Sequence, residues 1–514
     1  MTGTPIARGG SVRKQVAAGA ATLTVARMLS RGFDMITLII LARHLTPADF
    51  GLVAIALSIV QIAEAVLDLP TGSALLQLPS VTRHHLNTTF TLNLLRGLAL
   101  MGFLCAVSYP ASLFFGDPRL VGLICALSLA PALRGVRSPK MELLYKRLRF
   151  RPDATAEIVG KAAALSIAVL LALETGSYWA IAAGTIASPL LYMATTYVLA
   201  PARPRLSLRH WRAFHRYLGW SMGAQAMSAI NWQADRFVLG KLAAQATVGL
   251  FTTGRDLAWT ASKIIFGSLL RPLLAALSRS NADLARQRAV YRQTIATVLS
   301  IGLPVACGQA LLGPEIVRLI LGPKWLSTTI VFQAVSLALI PGFYTGLTTS
   351  LLFANGKPEL IFSRNMWDLC FRIPVTVGCI VWLGWKGAAV ALLAADLFLA
   401  TLCLQVVKRT IGIGIGDQLA QALRGSVSVA AMIVVFLAFR EVLPPAESAL
   451  GAAGIIALMV PVAAVVYAFV HLLVWRLSGR PEGIEQLGLH LAGSLAARFL
   501  AGSSDGRSMT ASER

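Results

Sequence analysis

Arg27, Arg31 and Asp34 stand at spacing i, i+4, i+7 in the stretch TVARMLSRGFDMITLII, residues 24–40. At about 100° per residue on an α-helix, the three side chains fall within about 60° of one another. The right-hand part of that stretch is apolar enough to lie in a membrane. An arginine facing lipid near mid-bilayer costs about 2.5–3.5 kcal/mol on insertion scales, so it persists where it meets a wet cavity or an opposite charge. Other charges recur deep in apolar runs. Arg96 lies well inside one, and Arg255, Asp256 and Lys263 share another with Thr252, Trp259 and Ser262. The carboxylates Asp34, Glu64, Asp68 and Asp396 and the amides Gln61, Asn93, Gln225, Asn231 and Gln233 are similarly placed.

The elements that must position these groups are membrane helices. The chain has 514 residues, 56% hydrophobic and 13% charged, with a mean hydropathy of +0.69, which is the composition of an integral membrane protein. Lipid offers the backbone no hydrogen-bond partner, so apolar runs of about twenty residues are helices. About fourteen such runs are expected: 18–42, 50–70, 87–108, 120–138, 155–174, 178–200, 217–239, 248–270, 293–313, 328–352, 365–384, 386–407, 425–443 and 449–474. In LTPADFG, Thr46 and Asp49 have the spacing of a capping box, with Pro47 in the first turn.

A net charge of +23 raises the question of nucleic acid, but the basic residues alternate from loop to loop. They crowd into the N-terminal tail, the C-terminal tail and every second loop, for example RGVRSPKMELLYKRLRFR (134–151) and RPRLSLRHWRAFHR (203–216). That alternation sets membrane orientation, with both termini cytoplasmic, and argues against nucleic acid. The basic loops touch membrane lipids. The external loops are too short to hold a catalytic domain, so the chain reads as a transporter and not an enzyme. No cofactor is implied. The six cysteines fall within spans without metal-ligand clustering and read as packing residues.

The chain is also written twice. LARHLTPADFGL (41–52) matches LGKLAAQATVGL (239–250) at an offset of 198, with Gly51 over Gly249. ALSLAPALRGVRSPKMELLY (126–145) matches AVSLALIPGFYTGLTTSLLF (334–353) at an offset of 208, which also sets Gly176 over Gly384. The fold expected is an all-α integral membrane protein of two six-helix lobes, related by a pseudo-two-fold along the membrane normal, plus two C-terminal helices. The boundaries are a basic N-tail 1–17, an N-lobe 18–200, a basic linker 201–216, a C-lobe 217–410, a linker with two extra spans 411–476, and a tail 477–514. In that tail Ile484, Leu487, Leu491, Leu495 and Phe499 have the spacing of an amphipathic helix on the inner surface.

LARHLTPADFGLVAIA after a charged first helix, LLYKRLRFRPDATAE after the fourth span, and WQADRFVLGKLAAQATVGLFTTG across spans seven and eight resemble the oligosaccharide flippase family. These bacterial exporters turn undecaprenyl-diphosphate-linked O-antigen or exopolysaccharide units across the inner membrane. They belong to the multidrug/oligosaccharidyl-lipid/polysaccharide exporter superfamily. The resemblance covers roughly residues 15–410, and the two extra C-terminal spans resemble the related lipid II flippase. A multidrug and toxin exporter shares the lobes but suits acidic, aromatic-lined pockets, against which the deep Arg and Lys argue.

The resemblance implies a cationic central cavity for a diphosphate head group, lined by Arg27, Arg31, Arg96, Arg255 and Lys263. Arginine grips phosphate oxygens bidentately. Gln61, Asn93, Gln225 and Asn231 are the candidate sugar contacts, with helix–helix hydrogen bonds the alternative. Asp34, Glu64 and Asp396 are candidates for coupling to a proton or sodium gradient. Structural roles compete at several positions: snorkelling for Arg27, a pair with Asp256 or Asp235 for Arg255, an interfacial pair for Asp235 and Arg236, and a fixed bridge between Asp368 and Arg372. The partners implied are undecaprenyl-diphosphate-linked oligosaccharide and, in the same pathway, a polysaccharide polymerase and glycosyltransferases.

Overall fold

A computed structural model describes residues 9–69, 71–72, 75, 81–209, 211, 220–266, 283–443 and 446–479. Among them every regular element is helical. The chain runs through α1 (Gly9–His44), α2 (Pro47–Val66), α3 (Arg83–Phe115), α4 (Arg119–Leu127), α5 (Leu129–Gly135), α6 (Lys140–Lys146), α7 (Arg151–Thr175), α8 (Trp179–Leu199), α9 (Trp220–Leu242) and α10 (Gln245–Phe266). It continues through α11 (Leu284–Leu311), α12 (Gly313–Ile320), α13 (Thr329–Ala354), α14 (Pro358–Leu383), α15 (Gly387–Ile411), α16 (Ile415–Ala420), α17 (Leu423–Val442) and α18 (Ala449–Leu477).

A helix occupies each apolar run expected from the sequence. Length and apolarity alone single out 9 membrane spans among the described residues, or up to 10 with a bent pair counted as one. The run Pro358–Ile411 counts there as a single span, although a 3-10 turn at Gly384–Lys386 divides it into α14 and α15. The charged helices α1, α9 and α10 are long enough but do not pass. The expected amphipathic tail lies outside the described residues.

Local chemistry sets the boundaries. The Thr46–Asp49 capping box forms: Asp49 N–H donates to Thr46 Oγ1 at 3.3 Å, and Thr46 N–H donates to the Asp49 carboxylate at 3.0 Å. Thr82 caps α3 in the same way with His85 as its partner. Gly176 ends α7 at φ +56°, and its repeat equivalent Gly384 ends α14 at φ +64°, a conformation that costs a glycine nothing. Helix starts repeat at the offsets of the sequence: Pro47 and Gln245 at 198, Trp179 and Gly387 at 208.

Two compact units emerge from backbone contacts. One holds Met1–Ile264, Ile316–Val335 and Lys357–Leu399; the other holds Ile265–Glu315, Ser336–Gly356 and Ala400–Arg514. In the first, α7 packs along α8 and α1, and α9 packs on α14 and α2. Lipid tails are as apolar as leucine, so close approach of backbones and not the hydrophobic effect joins such helices. Small residues permit it: a Cβ on Gly160 would stand 2.7 Å from the Ser188 carbonyl oxygen, and one on Gly184 3.2 Å from that of Ala164. In the second unit, α17 packs on α18 and α11, and Tyr467 Oη donates to the Ser300 carbonyl at 2.6 Å.

Candidate functional site: a cavity of paired cations

Within the first unit, α2, α3, α5, α6, α7 and α8 enclose a cavity of about 450 Å³. Its wall lies toward the helix ends that the basic-loop pattern assigns to the cytoplasm. Two features shape it. The fourth span is broken: the stretch Arg119–Gly135 meets Lys140–Lys146 at a 53° bend, which carries Arg134, Arg137 and Glu142 to the wall. Pro189 lies inside α8 beside the cavity, where it has no backbone N–H to donate.

Four cations line this space, each tied to a carboxylate. Arg96 pairs with Asp68 at 3.0 Å, and Arg134 with Glu64 at 2.7 Å. Lys161 pairs with Asp34 at 2.6 Å, and Arg137 with Glu142. Arg137 also donates to Tyr192 Oη at 3.2 Å. Tyr192 donates onward to Asp153 at 2.5 Å, and Tyr145 donates to the other oxygen of that carboxylate. Asp153, buried at 7% exposure, thereby fixes the phenol that orients Arg137. Two groups remain open. Arg96 Nε is buried without a hydrogen-bond partner. Glu157, one turn before Lys161, lines the cavity and makes no ion pair or hydrogen bond among the described residues.

The expected site residues divide between this cavity and other places. Arg96, Asn93 and Glu64 line it, and Asn93 Oδ1 accepts from Thr71 Oγ1 at 3.0 Å. Asp34 adjoins it through Lys161, and Arg31 adjoins Asp34 at 3.6 Å. Arg27 is exposed on α1 without an ion pair among the described residues, and Gln225 is exposed on α9. The side chain of Lys263 lies outside the described residues. Gln61 is bonded to Gln233, and Asn231 donates to the Asn365 carbonyl at 2.8 Å, so both join helix to helix.

Arg255 and Asp396 belong to a separate, buried ion network. Arg255 stacks over the Trp232 ring at 4.1 Å and pairs with Asp235 at 3.5 Å. Arg372 serves three carboxylates: Asp235 at 3.2 Å, Asp368 at 3.3 Å and Asp396 at 2.7 Å. Arg236 pairs with Asp256, so the expected interfacial pair of Asp235 with Arg236 gives way to two crossed pairs. Of the two partners open to Arg255, Asp235 is the one taken up. Here Arg236, Arg255 and Arg372 are outnumbered by Asp235, Asp256, Asp368 and Asp396, so no cation is left without an opposite charge, although Arg255 Nε and Nη1 make no hydrogen bond.

Sequence reasoning passed over Arg134, Arg137 and Glu142 because the whole basic stretch 134–151 read as a topology signal. Lys161 was legible, since it lies ten residues inside α7 as Arg96 lies inside α3. Tyr192 and Asp153 carried no pattern at all.

This all-helical membrane fold, with charges gathered inside it, is that of a transporter. A family profile described as polysaccharide biosynthesis protein matches residues 40–330, and the chain belongs to that family. It is 24% identical to the succinoglycan biosynthesis transport protein ExoT of Rhizobium meliloti, over 68% of this chain and 71% of the relative. It is 23% identical to the lipopolysaccharide biosynthesis protein WzxC of Escherichia coli, over 71% and 75%. Among solved structures, the lipid II flippase MurJ in an inward closed conformation superposes with a TM-score of 0.70 at 15% identity, covering 88% of this chain and 98% of that one. An inward-facing MATE family multidrug transporter gives 0.57 at 14% identity, covering 80% and 98%. These two likenesses concern the fold.

Proposed function

We propose that the protein turns a polyprenyl-diphosphate-linked oligosaccharide, an O-antigen or exopolysaccharide unit, from the inner to the outer leaflet by alternating access. This reading puts it in the bacterial inner membrane with both termini cytoplasmic. The observation that carries it is the convergence of Arg96, Arg134, Arg137 and Lys161 on one cavity, each held in place by a carboxylate. A diphosphate offers anionic oxygens of the kind these cations already grip, and can share their donors with the carboxylates. The names of the relatives, which speak of succinoglycan and lipopolysaccharide, support the glycan class. Asn93 and Thr71 supply neutral hydrogen-bonding groups beside the cations, suited to the first sugar.

Ion coupling falls, on this reading, to Asp34. Both Lys161 and Arg31 pair with it. When the substrate draws Lys161 away, the carboxylate is free to pair with the coupling ion instead. The test is translocation of a labelled polyprenyl-diphosphate sugar in proteoliposomes. Each of Arg134→Gln and Arg137→Gln is expected to lower the initial rate about 10-fold or more, the worth of a charge-assisted hydrogen bond. Wild-type rates in both variants, or extrusion of a cationic dye in place of the sugar lipid, would overturn the proposal.

A further inference from the structure

The repeated glycines found by aligning the chain with itself meet in space. A Cβ on Gly51 would strike the Gln245 carbonyl, with the carbonyl carbon 2.7 Å and Gly249 N 3.0 Å away. A Cβ on Gly249 would strike the Pro47 carbonyl, with that carbon 2.8 Å and Gly51 N 2.9 Å away. Residues 47 and 245, like 51 and 249, are equivalent at the offset of 198. The contact therefore joins 51 to 245 and 249 to 47, the reciprocal pattern of an isologous interface across a two-fold axis. The N-terminal turns of α2 and α10 cross backbone to backbone at the ends assigned to the outer side.

Everything around this crossing closes it. Gln245 donates to Asp117 and accepts from Arg119 Nη2 at 2.9 Å, while Arg119 and Asp117 pair at 2.7 Å. Lys241 Nζ donates to the Phe114 carbonyl at 2.6 Å. Lys324 Nζ donates to the carbonyls of Arg43 and Leu45 at 2.9 and 2.8 Å, and Trp325 Nε1 to that of Ala42 at 2.8 Å. Leu45, Leu52, Val248, Phe251 and Trp325 are all 0% exposed, so apolar side chains pack this layer.

We infer that the Gly51–Gly249 crossing, clasped by Asp117, Arg119 and Gln245, is the seam that holds the outer end of the transporter shut, and that its parting is the step that admits the outer side to the cavity. The absence of side chains at both glycines sets how tightly the seam closes. A larger residue at either one meets a backbone carbonyl, which cannot rotate aside, so the two helices must separate. The proposal rests on the transporter reading given above, and its test needs no substrate, so the two can fail independently.

Thr253 offers the probe. It lies four residues after Gly249, on the same helical face, and is 2% exposed. Thr253→Cys, made in a cysteine-free background, is treated from the outer side with a membrane-impermeant maleimide. Slow labelling is expected with the seam intact, and labelling about 10-fold faster or more with Gly249→Leu added. Arg119→Gln, which removes the clasp and leaves the glycines, is expected to accelerate labelling a few-fold and carries the test should Gly249→Leu not fold. Labelling rates within two-fold of the parent in a folded Gly249→Leu protein, or in Arg119→Gln, overturn the inference.

Discussion

Arg372→Met separates the buried network from the cavity. The guanidinium lies at 6% side-chain exposure against Asp235 and Asp368 at 1% each, and it also holds Asp396. Methionine fills similar volume but leaves three carboxylates facing one another, with only Arg255 remaining on Asp235. Removing one partner of a buried pair costs about 3–5 kcal/mol, because an uncompensated charge stays behind. At the unfolding entropy per residue of globular proteins, that loss lowers the melting midpoint of a chain this long by about 3–5 °C. Adding Asp396→Asn to Arg372→Met removes one of the stranded charges and is expected to recover part of the loss, a coupling that a double-mutant cycle reads directly. Arg134→Met is the control. Its partner Glu64 is partly exposed and its own side chain is half exposed, so the pair contributes at most about 1 kcal/mol while transport falls. The assay is thermal unfolding of detergent-purified protein alongside proteoliposome flux. An Arg372→Met protein melting within about 1 °C of wild type would refute the view that these charges hold the helices together.

Glu157→Gln removes the unpartnered carboxylate of the cavity wall; affinity for a diphosphate lipid, read by equilibrium binding, is expected to rise a few-fold with no change in melting. Asp34→Asn should leave binding within a few-fold of wild type and abolish the response of flux to an imposed ion gradient, as checked by collapsing the gradient with an ionophore. Arg119 holds the Asp117 carboxyl down at about 2, from an ordinary 3.8. A depressed carboxyl contributes stability that is fully present above the ordinary value and lost as pH falls through the lowered one. The melting gap between wild type and Asp117→Asn should thus stay constant from pH 8 to 5 and shrink below about pH 4; a gap that persisted at pH 3 or below at full size would deny the pairing its role.

The helices were legible because membrane insertion leaves so few options: an apolar run of sufficient length has no other way to satisfy its backbone. Thr46 and Asp49 announced their cap for a similar reason, since both groups act within one turn. The repeat was visible in Gly51 and Gly249, yet nothing in the letters said that the two glycines touch. Deep charges stood out one by one, but partners did not. Arg255 reads the same whether it faces phosphate or lies against Asp235 and Trp232, because pairing across helices depends on rotation and depth that periodicity leaves free. Arg134 and Arg137 were hidden by their own abundance: in a stretch that anchors topology, two more arginines look alike until the bend after Gly135 turns them inward.

The tethered carboxylates beside Arg96, Arg134, Arg137 and Lys161 also bear on what the cell's other solutes can do. Cytoplasm is crowded with free phosphate and nucleotides, and a row of bare guanidinium groups would be clogged by them. A small dissolved anion must oust a neighbour that is covalently fixed and therefore always present. A lipid pyrophosphate confined to the bilayer beside the opening arrives with its own high local concentration and engages several cations at once. On the flippase reading proposed above, built-in counterions act as a filter, turning away common traffic while yielding to a ligand that is itself anchored.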